Sequence, residues 1–239
     1  MKKYLLILLC ALVSCVGQKE DPEDGTTPRG STVADGRTGI VLDFTATWCV
    51  NCPRMTTAIE EASAARSFIP ICVHFQDDFV CDQGKQLVSH FGVEAYPSAV
   101  MNMDKSTLIT ATSKDLIIAK LDASVSSKSP CTIEPSLDYE KGVLLVKVTA
   151  AEEGEYTLSA AVLDDGLVHA QTGASDKYVH NNVFCGFLQK DLLGDSLGQL
   201  SKGQSAQLGF DAGGLIKSNH IAIYVCQGGA VNSAIDFKP

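Results

Sequence analysis

The sequence has no apolar run long enough to cross a bilayer: its most hydrophobic stretch, Tyr4 to Val13, falls well short of the ~20 residues a spanning helix needs. Positive charge is scarce. Against 28 Asp and Glu stand 19 Lys and Arg, a formal net charge of -9, which argues against nucleic acid and anionic lipid surfaces as partners. No internal repeat is found, which excludes solenoids and propellers. Between Val16 and Arg37 there is no apolar period, only Gly, Thr, Pro and charge, the composition of a solvated tether. Protein or small-molecule partners fit such a chain better than nucleic acid.

What the sequence does have is cysteine, at positions 10, 15, 49, 52, 72, 81, 131, 185 and 226. The N-terminus reads as an export signal over residues 1–14: Lys2 and Lys3, an apolar stretch, then Leu12-Val13-Ser14-Cys15. Leu-Val-Ser-Cys resembles the bacterial lipobox. That resemblance implies that Cys15 becomes the first residue of the mature chain and carries acyl chains such as palmitate, anchoring residues 15–37 as a tether to a membrane. The seven cysteines that remain then face an oxidising compartment. Seven is odd, so at least one stays unpaired or pairs with another molecule.

Residues 39–45 (GIVLDFT) form an almost continuous apolar run containing one acid, as expected of a strand covered on both faces. Trp48-Cys49-Val50-Asn51-Cys52-Pro53 follows, and then apolar positions 55, 58, 59, 62 and 65 at helical spacing, with Pro53 tolerated in the first turn. A strand at 69–75, a helix at 84–91, a strand at 98–102 and a helix at 116–124 complete an alternating α/β unit over residues 38–128. Beyond the Ser-Pro-rich junction, strand-like runs at 143–150, 156–163, 167–171, 178–188, 205–210 and 220–226 predict an antiparallel β-sandwich, immunoglobulin-like, over residues 131–239.

Two cysteines spaced by two residues at a helix start have a physical logic. The helix N-terminus stabilises a thiolate, so Cys49 is expected to be the exposed, low-pKa nucleophile and Cys52, one turn on, the resolving thiol. Val50 and Asn51 add no charge, which argues against a strongly oxidising potential. A zinc site from Cys49, Cys52, Cys72, Cys81 and His74 is the competing chemistry, but its second half is not the tight pair that structural zinc prefers. Trp48 before the first cysteine, Asp43 inside the preceding strand and Tyr96-Pro97 after the next strand and helix together resemble the thioredoxin family. The resemblance covers residues 39–124. It implies that Asp43 handles the Cys52 proton, that Pro97 follows a cis bond and faces the dithiol where substrate backbone pairs, and that Trp48 belongs to the site. Neither a cofactor nor a metal is called for.

The segment Leu158 to Val168, then Gln171, then Tyr178-Val179-His180-Asn181-Asn182-Val183, is similar to the twenty-eight-kilodalton outer-membrane lipoprotein family, which implies an outer-membrane location without an established reaction. His180, Asn181 and Asn182 read either as a small polar site or, better, as strand caps and turn residues. Cys185 with Cys226, and Cys72 with Cys81, are candidate staples. Two functions follow. One is a lipid-anchored thiol-disulfide oxidoreductase acting on exported protein thiols or disulfides, with a redox partner that recycles it. The other is a non-enzymatic surface lipoprotein with a locked Cys49–Cys52 disulfide and a partner-binding β half. Gln18-Lys19-Glu20-Asp21 resembles a short surface-export signal and favours the second.

Overall fold

The computed structural model describes residues 38–215 and 219–239. The export signal, Cys15 and the charged segment after it lie outside the described residues. Strand β1 (Gly39–Thr45) is buried at every position, as its apolar run requires. Helix α1 (Cys52–Ser63) starts at the second cysteine, with Pro53 in its first turn, where no N–H is needed. It buries Cys52, Met55, Ala58, Ile59 and Ala62, the stripe that the spacing predicted. Strand β2 (Phe68–His74) pairs parallel to β1 and β3 (Ser98–Met101) antiparallel to it. Helices α2 (Asp82–Phe91) and α3 (Lys114–Ser124) complete an α/β unit of thioredoxin-like fold. The Cys81 sulfur caps α2, accepting from the Gly84 N–H at 3.3 Å, and left-handed Gly92 ends it.

The second half is rich in β-structure: β4 (Thr132–Asp138), β5 (Val143–Thr149), β6 (Gly154–Asp164), β7 (Leu167–His169), β8 (Tyr178–His180), β9 (Val183–Phe187), β10 (Asp195–Leu200), β11 (Ser205–Asp211), β12 (Asn219–Gln227) and β13 (Ala230–Phe237). The sequence reading missed β4, β10 and β13. It also took 178–188 as one strand, whereas the backbone breaks at Asn182, whose φ is 54°, so that β8 and β9 run separately. Asparagine tolerates that left-handed conformation better than most residues.

The α/β and β-rich halves share one sheet, in the order β13-β12-β6-β9-β2-β1-β3, with β10 on the other end of the long β6. Strand β9 is the seam. It pairs parallel to β2 at Cys72 and Val183, and the Cys72 N–H donates to the Asn182 carbonyl at 2.8 Å. Alternation along β1 sorts its side chains between two cores. Ile40, Leu42 and Phe44 pack with Leu87 and Phe91 of α2 and also with Leu163, Phe184 and Tyr224 of the β-rich half. Val41 faces Met55, Ile59, Met101, Ile117 and Leu121 beneath α1 and α3. A third apolar layer lies between the sheet β11-β5-β4 and the strands β6 and β12, built from Leu144, Val146, Val148, Leu158, Ile221, Ile223 and Val225.

Candidate dithiol site

Cys49 and Cys52 form a disulfide at the C-terminal end of β1 and the N-terminus of α1. The loop between strand and helix is held by the Asp77 carboxylate, which accepts from the Thr47 N–H at 2.8 Å, from the Phe79 N–H at 3.0 Å and bonds the His74 ring at 2.7 Å. Burial works against that carboxylate, but these bonds outweigh it and hold its pKa below the ordinary value. The Tyr96–Pro97 bond is cis, and Tyr96 packs beside the disulfide. Trp48 lies at the surface, 47% exposed, not in the core. Its indole N–H donates to the Phe75 carbonyl at 3.2 Å and its ring meets Tyr96 edge-on at 5.6 Å.

Asp43 sits inside the sheet, 1% exposed, and neither carboxylate oxygen has a hydrogen-bond partner among the described residues. With nothing to compensate the lost hydration, burial raises its pKa to about 7. Its neighbour in register, Cys72, shares the effect: burial first and the Asp43 charge second push that thiol well above its usual value.

Cys49 was expected to be exposed, and it is not: 4% of its surface reaches solvent. Its sulfur is bonded to Cys52 and clusters with Ala46 and Tyr96, while the second half meets its backbone. The β7–β8 hairpin lays its connecting loop over the dithiol loop. Gln171, 6% exposed, donates from its side-chain amide to the carbonyls of Cys49 at 2.9 Å, Ala46 at 3.2 Å and Thr172 at 3.2 Å. The Thr172 N–H donates to the Thr47 carbonyl at 2.8 Å. Gly173, at φ +84°, lies so near Val50 that a Cβ there would stand 2.4 Å from the Val50 carbonyl oxygen, so only glycine lets the loop approach this closely. Nothing in the sequence marked Gln171 as part of the site, because the contact spans 122 residues of chain.

His180, read from sequence as a turn or capping residue, lies 5% exposed between the halves. Its ring meets His74 at 5.4 Å, Phe79 at 5.1 Å and Tyr178 at 4.8 Å. Burial, reinforced by His74 and His169, pushes its pKa down to about 4, so the ring is neutral near neutral pH. His74, a member of the alternative zinc set, is committed to Asp77, and Cys81 to capping α2. Cys72, Cys81, Cys131, Cys185 and Cys226 are all free, so neither candidate staple is formed.

A thioredoxin domain with its cysteine pair at the start of a helix is therefore present in the chain. Residues 30–123 match the Thioredoxin family model. HBP35 of Porphyromonas gingivalis is similar in structure, with 19% identity, a TM-score of 0.67, and coverage of 88% of this chain and 76% of that one. A protein of Agrobacterium tumefaciens is similar at 13% identity and a TM-score of 0.59, covering 83% of this chain and 93% of its own. At such identities the likeness is one of fold. No curated protein sequence matches the chain.

Two outcomes are expected. Gln171→Ala removes the amide that ties the hairpin loop down, which costs one or two kcal/mol of closure and raises loop opening by about 5–30-fold. Alkylation of reduced Cys49, followed by mass spectrometry, should speed up by that factor; an unchanged rate would show that the loop does not control access. The second concerns pH. A carboxyl whose folded pKa lies above its unfolded value takes up a proton on folding between the two, so stability falls as pH rises from its ordinary value of 3.8 through about 7. Asp43→Asn removes that penalty. The variant's gain in melting temperature over wild type should be larger at mildly alkaline than at mildly acidic pH, and a gain independent of pH would contradict the assignment.

Proposed function

We propose that the chain is a thiol-disulfide oxidoreductase acting on exported protein thiols or disulfides, held at the outer membrane through a lipid on Cys15. The observation that carries this reading is the Cys49–Cys52 disulfide set over a buried carboxyl that titrates near neutrality, with a cis proline beside it. A substrate thiolate attacks the Cys49 sulfur, and the Cys49–Cys52 bond breaks. Cys52 leaves as a thiolate and takes its proton from the Asp43 carboxyl. A second substrate thiolate then attacks the substrate sulfur of the mixed disulfide and releases Cys49. The substrate leaves oxidised by two electrons and the dithiol is reduced; a redox partner reoxidises it, and the steps reversed reduce a substrate disulfide.

In this reading Cys49, Cys52 and Asp43 are catalytic, Pro97 aligns substrate backbone, and Trp48 offers an apolar rim. The half spanning 131–239 is an immunoglobulin-like sandwich. Likeness to the twenty-eight-kilodalton outer-membrane lipoprotein family, carried by residues 158–183, supports the location. The lipobox cysteine supports the anchor: Cys15→Ala should move the protein from the membrane to the soluble fraction, and retention on membranes would remove the anchor.

One observation favours the second reading, a locked disulfide in a partner-binding surface protein: Cys49 is covered by the Gln171 loop. Trapping separates the two. Cys52→Ser cannot resolve a mixed disulfide, so it should accumulate protein adducts at Cys49 that vanish on reduction, while Cys49→Ser forms none. Absence of adducts together with no insulin reduction by the wild type favours the locked form.

A further inference from the structure

The β7–β8 hairpin is a small sheet of its own: among the described residues its two short strands pair only with each other. Two residues with positive φ stand at its base, Gly166 at 75° just before β7 and Asn182 at 54° just after β8. Val168 and Val179, the register pair on its outer face, are both exposed, so no described element packs over it from outside. Its ties to the first half are few. The Gln171 amide and the Thr172 N–H hold the dithiol loop, Tyr178 meets the Thr56 side chain of α1, and His169 Nε2 bonds Asp78 at 3.1 Å. A short segment with turn-forming residues at both ends of its base and few ties beyond them can lift as a unit. Beneath it sits His180, buried between the halves. Its Nδ1 donates to the His169 carbonyl, and its Nε2 has no partner among the described residues. A proton added at Nε2 would be a buried charge with no acceptor.

We propose that the β7–β8 hairpin is an acid-sensitive flap, hinged at Gly166 and Asn182, that rests on the dithiol loop while His180 is uncharged and lifts when His180 takes a proton. What the flap regulates rests on the oxidoreductase reading above: lifting it frees the Cys49 and Ala46 carbonyls and the dithiol loop that carries them. The groups facing His180 set the sign. From β2 and the loop after it come His74 and Asp77, and Asp77 is already bonded to His74 and to two backbone N–H groups. His180 also lines a cavity of about 110 Å³ beside Cys52, where it faces Asp43, disulfide-bonded Cys52, Cys72, Glu60 and Tyr178. Asp43 keeps its proton up to about pH 7, so it brings no charge in acid, and Glu60 is exposed on α1. Burial first, then the charges of His74 and His169, hold the His180 pKa at about 4 against an ordinary 6.5. Between those values the lifted form binds more protons than the closed one. Closure is therefore complete above 6.5 and is lost as pH falls toward about 4. His169 acts the other way, since its bonds to the Ala170 carbonyl and Asp78 raise its pKa, but that pair is exposed and screened by solvent.

Amide hydrogen exchange on the oxidised full chain reads the flap without substrate or turnover. The reporter is the Thr172 N–H, which donates to the Thr47 carbonyl only while the flap is down. Once the pH dependence of the chemical exchange step is removed, its opening constant should rise by about tenfold between about pH 7.5 and about pH 5.5, while β1 and β6 keep their protection. His180→Phe keeps a ring in place and removes the titrating nitrogen, and His180→Gln puts a neutral amide there. In both variants the opening constant should stop rising with acid, whatever its level; a merely structural role would move the level and leave the slope. The flap is overturned by a wild-type opening constant that is flat or falls in acid, by a slope that survives in either variant, or by an equal loss of protection in β1 and β6. Each of those results leaves the oxidoreductase reading standing, because that reading is decided by the adducts of Cys52→Ser. Absence of those adducts with the acid slope intact defeats the thiol chemistry and supports the flap as a movement of the fold. Should His180→Phe fail to fold, the wild-type slope and His180→Gln decide.

Discussion

A single point of strand pairing governs much of this molecule. Where β9 runs alongside β2, at Cys72 and Val183, the β-rich half becomes a continuation of the α/β sheet and not an appendage to it. Because β9 directly follows the β7–β8 hairpin in the chain, fixing β9 also fixes the hairpin against the dithiol. The turns around it are tied by side chains: the Asn182 N–H donates to Asp165 at 2.8 Å and the Gly166 N–H to Asn181 at 2.9 Å. The position of Gln171 over Cys49 and of His180 behind Cys52 both follow from that docking. Phe184 and Phe187, facing the same core as Leu42 and Phe44, supply the apolar burial that holds the seam together.

The electrostatic consequence is a balance between two aspartates a short way apart in the fold. Asp77 accepts hydrogen bonds from two backbone N–H groups and bonds His74, and keeps its charge. Asp43 has no hydrogen-bond partner among the described residues and so keeps its proton up to about pH 7. One acid is structural because it is satisfied. The other is not satisfied: an isolated buried carboxyl costs the fold stability and can give or take a proton near neutrality.

How far this was legible in the sequence differs sharply between the halves. The apolar run 39–45, the helical stripe after Pro53 and the strand–helix alternation place the first half's elements to within about two residues, because burial on both faces of a sheet and on one face of a helix leaves periodic marks. Asp43 could be read as buried since Val41, Leu42 and Phe44 leave it no wet face. In the second half, β4 and β10 carry polar or half-exposed residues such as Glu134, Ser136, Ser196 and Gln199, so their patterning was too weak to see. Strand β13 mixes Asn232, Ser233 and Asp236 with its apolar residues and was missed for the same reason. Gln171 and His180 were visible as residues but not as parts of the site, because local pattern carries no information about a contact between segments more than a hundred residues apart.

The same docking that lays the Gln171 loop on the dithiol loop also encloses the space behind Cys52, and Gln171 faces both. In the proposed oxidoreductase a protein substrate would reach the Cys49 sulfur from the Trp48 and Pro97 side, under or past the Gln171 loop. A loop held by one buried amide and one backbone hydrogen bond is a small barrier to a protein substrate, since each such bond contributes roughly 1 kcal/mol. The cavity beside Cys52 takes walls from the shared sheet and α1 and also from Gln171, Tyr178 and His180, so the loop and the cavity share a side chain. In the proposed oxidoreductase, lifting the Gln171 loop would therefore change both the approach to Cys49 and the surroundings of Asp43, since Gln171 and Asp43 line the same space.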